Sequence, residues 1–214
     1  KIPLRNILGE GGSADFSNAY NIYATMLTIS TAGLPVALSK LVSEAYARGR
    51  TRQAQRTFRL SLIVFLVLGL LSFALMWWGN DYLAGLLNNP RAAYGIRTLA
   101  PAVVCVGCLS AFRGYAQGRQ YMTPTAVSQI IEALGKLIFG LGLAYYLMGQ
   151  GCALERVVAG AIGGVTLRTA LSALYAVLYA LRDPARRGKA PGADPSCRPA
   201  GALLRKLIRL AAPI

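Results

Sequence analysis

The chain has 214 residues, 55% of them hydrophobic, and a mean hydropathy of +0.45, which is too apolar for an ordinary soluble domain, whose apolar share is about 45–50% even with glycine counted. Lys and Arg outnumber Asp and Glu by 23 to 8, yet the positives lie between long apolar runs instead of clustering beside a soluble fold, which excludes a nucleic-acid binder and matches the basic loops of a multi-pass membrane protein. There is no histidine, and the C-x-x-C of Cys105 and Cys108 sits inside an apolar run, so metal-ligand spacing, a thioredoxin-like context and a disulfide framework are all missing; this pair reads as small packing residues, and Cys152 and Cys197 fall on opposite sides of the expected membrane.

Residues 1–19 lack the continuous apolar core of a signal peptide, begin without methionine, and form an extracytoplasmic segment that we expect to follow a preceding span. Five windows then offer the ~20 residues of helix that cross ~30 Å of hydrocarbon. The first, residues 20–38, has no charge, but Asn21, Thr25, Thr28, Thr31 and Ser39 recur near helical spacing and make one face polar. Such a face suits water, a ligand or another helix. Near its inner end Gly33-Leu34-Pro35 weakens the backbone ladder, making Gly33 and Pro35 candidates for a hinge or a static kink. The second window, 60–78, is nearly all aliphatic and closes on Trp77-Trp78, a pair suited to the interface. The third, 94–112, carries Arg97 near its start, where a long side chain either lines a cavity or snorkels to the interface. The fourth and fifth, 124–148 and 157–181, contain charges in mid-run, and Gly160 and Gly164 in the fifth allow close helix packing.

The loops alternate in charge. Segments 39–59, 113–123 and 182–209 hold sixteen Lys and Arg residues, whereas the alternate loops hold Lys1, Arg5, Arg91 and Arg156. The positive-inside bias therefore places 39–59, 113–123 and 182–206 in the cytoplasm of a bacterium and 1–19 outside. Residues 182–202, with four prolines among glycines and arginines, read as a flexible linker. Residues 203–214 read as a basic amphipathic segment on the inner surface that leads into a further span.

Charges at the bilayer centre cost ~2.5–3.5 kcal/mol on insertion scales and persist where they face a cavity or a partner. At a rise of ~1.5 Å per residue, Glu132 lies about 12 Å and Lys136 about 18 Å above the inner end of the fourth window, and Arg168 roughly 16 Å into the fifth. Glu132 and Lys136 are spaced for an intrahelical ion pair, so they either neutralise each other or join Arg168 in a cavity of net charge +1 that would attract an anion such as a polyprenyl diphosphate.

Two strings carry a family resemblance: Ser30-Thr31-Ala32-Gly33-Leu34-Pro35-Val36-Ala37-Leu38-Ser39-Lys40-Leu41-Val42-Ser43-Glu44, and Phe112-Arg113-Gly114-Tyr115-Ala116-Gln117-Gly118-Arg119 followed by Met122-Thr123-Pro124-Thr125-Ala126 and Ser128-Gln129-Ile130-Ile131-Glu132. They resemble the polysaccharide-biosynthesis and stage V sporulation protein B branch of the multidrug/oligosaccharidyl-lipid/polysaccharide exporter superfamily, related to MurJ-type lipid II flippases. The resemblance implies an all-α polytopic membrane protein of twelve to fourteen spans in two bundles around a central cavity, of which this chain is a fragment with about five transmembrane helices from the first bundle. It also implies alternating-access transport of a lipid-linked oligosaccharide or lipid II-like substrate, with membrane lipids and cell-wall synthesis proteins as partners and no cofactor or metal. Arg168, Lys136, Glu132, Arg97, Asn21, Thr25 and Thr28 are the candidate cavity residues; Lys136 stands where the family often has arginine and lacks its bidentate fork. Two rivals remain at this point: a cation-coupled drug or metabolite exporter of the same architecture, and an integral membrane enzyme or cell-wall assembly scaffold. The enzyme suffers from the lack of histidine and of any catalytic pattern among the cytoplasmic acids Glu44, Asp183 and Asp194.

Overall fold

The computed structural model describes residues 16–28, 31, 33–86, 89–90, 92–150, 154–182 and 200–211; the outer segment 1–15, most of the expected linker (183–199), Cys152 and Cys197 lie outside them. In hydrocarbon no water satisfies amides, so backbone hydrogen bonds must close within each segment, and the described regular structure is helical throughout. Helix α1 covers residues 16–28, α2 Leu34–Ala47, α3 Thr51–Trp78, α4 Asn80–Leu86 and α5 Ala92–Gly118. Then α6, Thr123–Gly135, passes through a π-helical segment, Lys136–Leu141, into α7, Gly142–Gly149, and α8, Leu154–Arg182, and α9, Ala200–Ala211, follow. Among the described residues four helical stretches are long and apolar enough to cross a membrane: Thr51–Trp78, Ala92–Gly118, Thr123–Gly149 and Gly160–Arg182. The chain is a multi-pass membrane protein.

The first window, 20–38, is not one helix. Gly33 takes φ +65° and ψ −21°, and Pro35 occupies the first turn of α2. A proline there has no N–H for the preceding turn and its ring excludes the carbonyl four residues back, while glycine enters the left-handed region without a Cβ penalty, so α1 and α2 are separate helices. The basic loops also shrink. Residues 39–59 are the second half of α2, a turn at Arg48-Gly49 and the first turns of α3, and residues 113–118 complete α5, leaving only 119–122 between α5 and α6. A hydropathy window stops at the first charge, whereas a helix continues beyond it because Lys and Arg stems reach the interface.

Helix α5 is central, packing against α2, α3 and α8. Glycine lets it approach closely: a Cβ on Gly107 would lie 3.1 Å from the Phe65 carbonyl, and one on Gly114 2.9 Å from the Pro35 carbonyl. Pro101 withdraws a donor from the interior of α5, and Thr166 Oγ1 of α8 donates 2.8 Å to the Thr98 carbonyl just before it. The apolar core divides in two. At the Trp77 end Tyr23, Met76, Ile96, Leu99 and Ile162 pack together; at the Tyr115 end Leu38, Val42, Phe58, Phe65 and Leu207 do so.

Of the 203–214 segment, residues 203–211 are described and belong to α9. This helix docks on α2 and α3, burying Leu203 and Leu207, and Lys206 Nζ donates 2.7 Å to Glu44 Oε2, which makes protein the partner of its apolar face.

Candidate functional site

The α6–α7 stretch hugs α8 through glycines. A Cβ on Gly135 would stand 2.6 Å from Arg168 Cβ, and one on Gly164 2.7 Å from the backbone of Gly140. Gly160 likewise faces Leu147, so the Gly160 and Gly164 pair serves packing. This contact puts the charged residues of the fourth and fifth windows side by side at the level where Lys136 opens the π-helical segment.

The expected Glu132–Lys136 pair does not form. Glu132 Oε2 accepts from Arg113 NH2 at 2.8 Å, with both side chains about four-fifths buried. Arg113 Nε also donates 2.9 Å to Ser128 Oγ, which itself donates 2.7 Å to the Thr125 carbonyl, and Ser172 Oγ of α8 donates 2.9 Å to the Ser128 carbonyl. Three helices are thereby tied into one polar node. Hydropathy assigns Arg113 to a loop; its position immediately after Phe112 and five residues before Gly118, with no helix breaker before the turn, is the signal that could have found it.

Pairing across helices changes the charge of the layer. Arg113 neutralises Glu132, so Arg168 and Lys136 both remain without a carboxylate partner among the described residues. Lys136 is exposed. Arg168 is half-buried, and its Nε is shielded from solvent without a hydrogen-bond partner among the described residues. Tyr23 of α1 is buried in the core cluster that also holds Ile162 and Val165 of α8. The uncompensated charge is thus two positives, one more than the sequence suggested.

The remaining candidates lie elsewhere. Arg97 is exposed and stacks 4.5 Å from the centre of the Trp77 ring, the geometry of a cation–π contact at the aromatic end of the bundle, so the structure does not bring it to the layer. Asn21, Thr25 and Thr28 form an exposed stripe on α1, and Thr25 and Thr28 donate to the carbonyls of Asn21 and Ala24. Such back-bonding satisfies the hydroxyl proton and leaves the oxygen as an acceptor. Gly33 and Pro35 mark the break between α1 and α2. No cluster of His, Cys, Asp or Glu able to hold a metal occurs among the described residues.

A profile of the family described as polysaccharide biosynthesis protein matches residues 1–213. Over 184 residues the chain is 31% identical to the lipid II flippase MurJ of Bacillus subtilis (strain 168), covering 78% of this chain and 34% of that protein. It is 32% identical over 138 residues to stage V sporulation protein B of the same organism, covering 64% of this chain and 27% of that protein. An uncharacterized membrane protein, YabM, is 28% identical over 164 residues, with 77% and 30% covered. The chain therefore spans about a third of the length of these relatives. No solved structure matches it.

Proposed function

The chain belongs to the polysaccharide biosynthesis protein family, and on that premise we propose that it forms the first bundle of a flippase carrying a lipid-diphosphate-linked saccharide, a precursor of peptidoglycan, spore cortex or another surface glycan. The observation that carries this reading is the pair of cations, Arg168 and Lys136, left without a carboxylate partner at mid-bundle once Arg113 has taken Glu132. A headgroup of sugars and phosphates cannot pass bare hydrocarbon, and two positives at mid-bundle supply charge and hydrogen-bond donors along such a path. Arg168 would present two parallel donors to a phosphate and Lys136 a point charge. The protein makes and breaks no bond. We place it in the cytoplasmic membrane with residues 39–59, 113–123 and 182–206 inside, and cell-wall synthesis enzymes as the partners that such a cargo implies. A cation exporter fits less well, because the one acid of the layer is already held by an arginine.

The test is complementation of a flippase-deficient strain, scored beside membrane protein level. Replacing Arg168 by Lys keeps the charge and loses the fork, so transport should fall roughly ten- to hundredfold, the loss of about 1.5–3 kcal/mol of charged hydrogen bonding, at normal abundance. Undiminished activity of Arg168→Ala at normal abundance would overturn the reading.

A further inference from the structure

Helix α3, one of the membrane-crossing stretches, keeps two different faces along its length. Ala54, Phe58, Ser61, Phe65 and Gly69 are buried. On the other side Arg52, Arg56 and Arg59 are exposed, and Ile63, Val67 and Leu70 continue the same line, each at least half exposed. At 3.6 residues per turn these positions fall within about 80° of arc, so the three arginines stand at the end of a stripe of exposed aliphatic side chains. Helix α9 packs on the buried side, where Leu207 joins Ala54 and Phe58, and leaves the arginines exposed.

An exposed aliphatic stripe on a membrane helix meets acyl chains or further protein, and the arginines decide between them. The apolar run begins at Leu60, so Arg59 marks the edge of the hydrocarbon. At ~1.5 Å per residue Arg56 stands about 4–5 Å and Arg52 about 10 Å beyond it, and the headgroup layer is about 5–7 Å thick on each side. Arg56 and Arg59 therefore lie at the depth of lipid phosphates, with Arg52 at the aqueous edge. None of the three has a carboxylate or hydrogen-bond partner among the described residues. Protein closing over this face would bury three guanidinium groups, each needing an acid to offset its desolvation. A phosphodiester at the same depth offers each of them a bidentate acceptor and leaves them in the interface. We infer that the exposed face of α3 binds an anionic phospholipid, its phosphate held by Arg56 and Arg59 and an acyl chain lying along Ile63, Val67 and Leu70. A zwitterionic lipid has the same phosphate but brings its own cation, so the site discriminates by net charge. The inference rests on the membrane character of the chain and is independent of which cargo it moves.

The experiment is lipid titration of the purified, delipidated full-length protein in mild detergent, followed by native mass spectrometry, with phosphatidylglycerol and phosphatidylcholine as separate probes. Phosphatidylglycerol should bind at least about tenfold more tightly than phosphatidylcholine. Combining Arg56→Gln with Arg59→Gln should weaken phosphatidylglycerol about tenfold or more and erase that preference. Combining Arg182→Gln with Arg205→Gln removes the same charge from exposed positions on α8 and α9, and should weaken it by less than about threefold. All four side chains are exposed, so both double variants should melt with the parent protein. A benzophenone side chain placed at Ile63 in native membranes should crosslink to phospholipid, a readout that depends on neither variant. Equal affinity for the two lipids would overturn the inference. So would equal losses from the two double variants, which would mark diffuse attraction to a basic surface, and so would crosslinking from Ile63 into protein, which would show the face covered by another segment or a partner.

Discussion

Glu132 is held from a different helix, and that contact governs how the charged layer responds to mutation. Its partner Arg113 lies 19 positions away in sequence, and both groups are mostly withdrawn from solvent. Removing one member of such a pair leaves the other charge uncompensated, so Glu132→Gln and Arg113→Gln should each destabilise the protein by roughly 1–3 kcal/mol. The double variant should lose less than the sum of the two, and a coupling energy near zero in thermal melts of the four proteins would show that the contact does not hold the helices together. Lys136→Gln, which touches no carboxylate among the described residues, should leave stability within about 0.5 kcal/mol. The sequence marks Glu132, Lys136 and Arg168 because charge inside an apolar run is conspicuous. It does not reveal who pairs with whom, since the i, i+4 rule sees one helix and Arg113 arrives from another. Arg97 is the contrasting case: a charge near the start of an apolar window whose guanidinium lies over the Trp77 ring at the bundle end.

At the scale of the helix, the fourth span shows how small residues set geometry. Among the described residues it is the least covered of the four apolar stretches, and its contacts are chiefly with α8. Those contacts are backbone to backbone at Gly140 and Gly164, within and opposite the π-helical segment that Lys136 begins. A Cβ on Gly164 would meet backbone atoms of Phe139 and Gly140 at 2.7 Å, and backbone cannot rotate away as a side chain can. Gly164→Ala should therefore cost about 2–4 kcal/mol or displace α6 from α8. Gly142→Ala, with nothing within 4 Å of the added atom, should instead gain up to about 1 kcal/mol from helix propensity. Detergent melting temperatures of the two variants compare these directly, and equal shifts would contradict the close packing. Apolar length located these helices well because lipid leaves a hydrophobic segment no alternative to helix. Their ends were less legible, since a window average stops short at Arg113. The π-helical segment has no composition of its own; it follows from how α6 and α7 meet α8.

For the whole molecule, the apolar core falls into two clusters, one towards each end of the bundle. The Tyr115 end gains a further tie from α9, where Leu207 joins the core and Lys206 pairs with Glu44. That docking sets a constraint on topology separate from any charge rule: whichever side of the membrane holds the start of α3 must also hold α9. The positive-inside bias then says which side it is. We expect single cysteines at Arg52 and Gly201, both exposed, to resist an impermeant thiol reagent in intact cells and to react after permeabilisation, whereas one at Tyr82, 74% exposed on α4, should react in intact cells. The four native cysteines, of which Cys105 and Cys108 are half-buried within α5, give the background, to be subtracted using the unsubstituted protein. If Arg52 and Gly201 label together but in intact cells, the helix packing stands and the orientation, with the direction of transport, is reversed. If they label on opposite sides, α9 does not sit on α2 and α3, and the Lys206–Glu44 contact has no place in the folded protein.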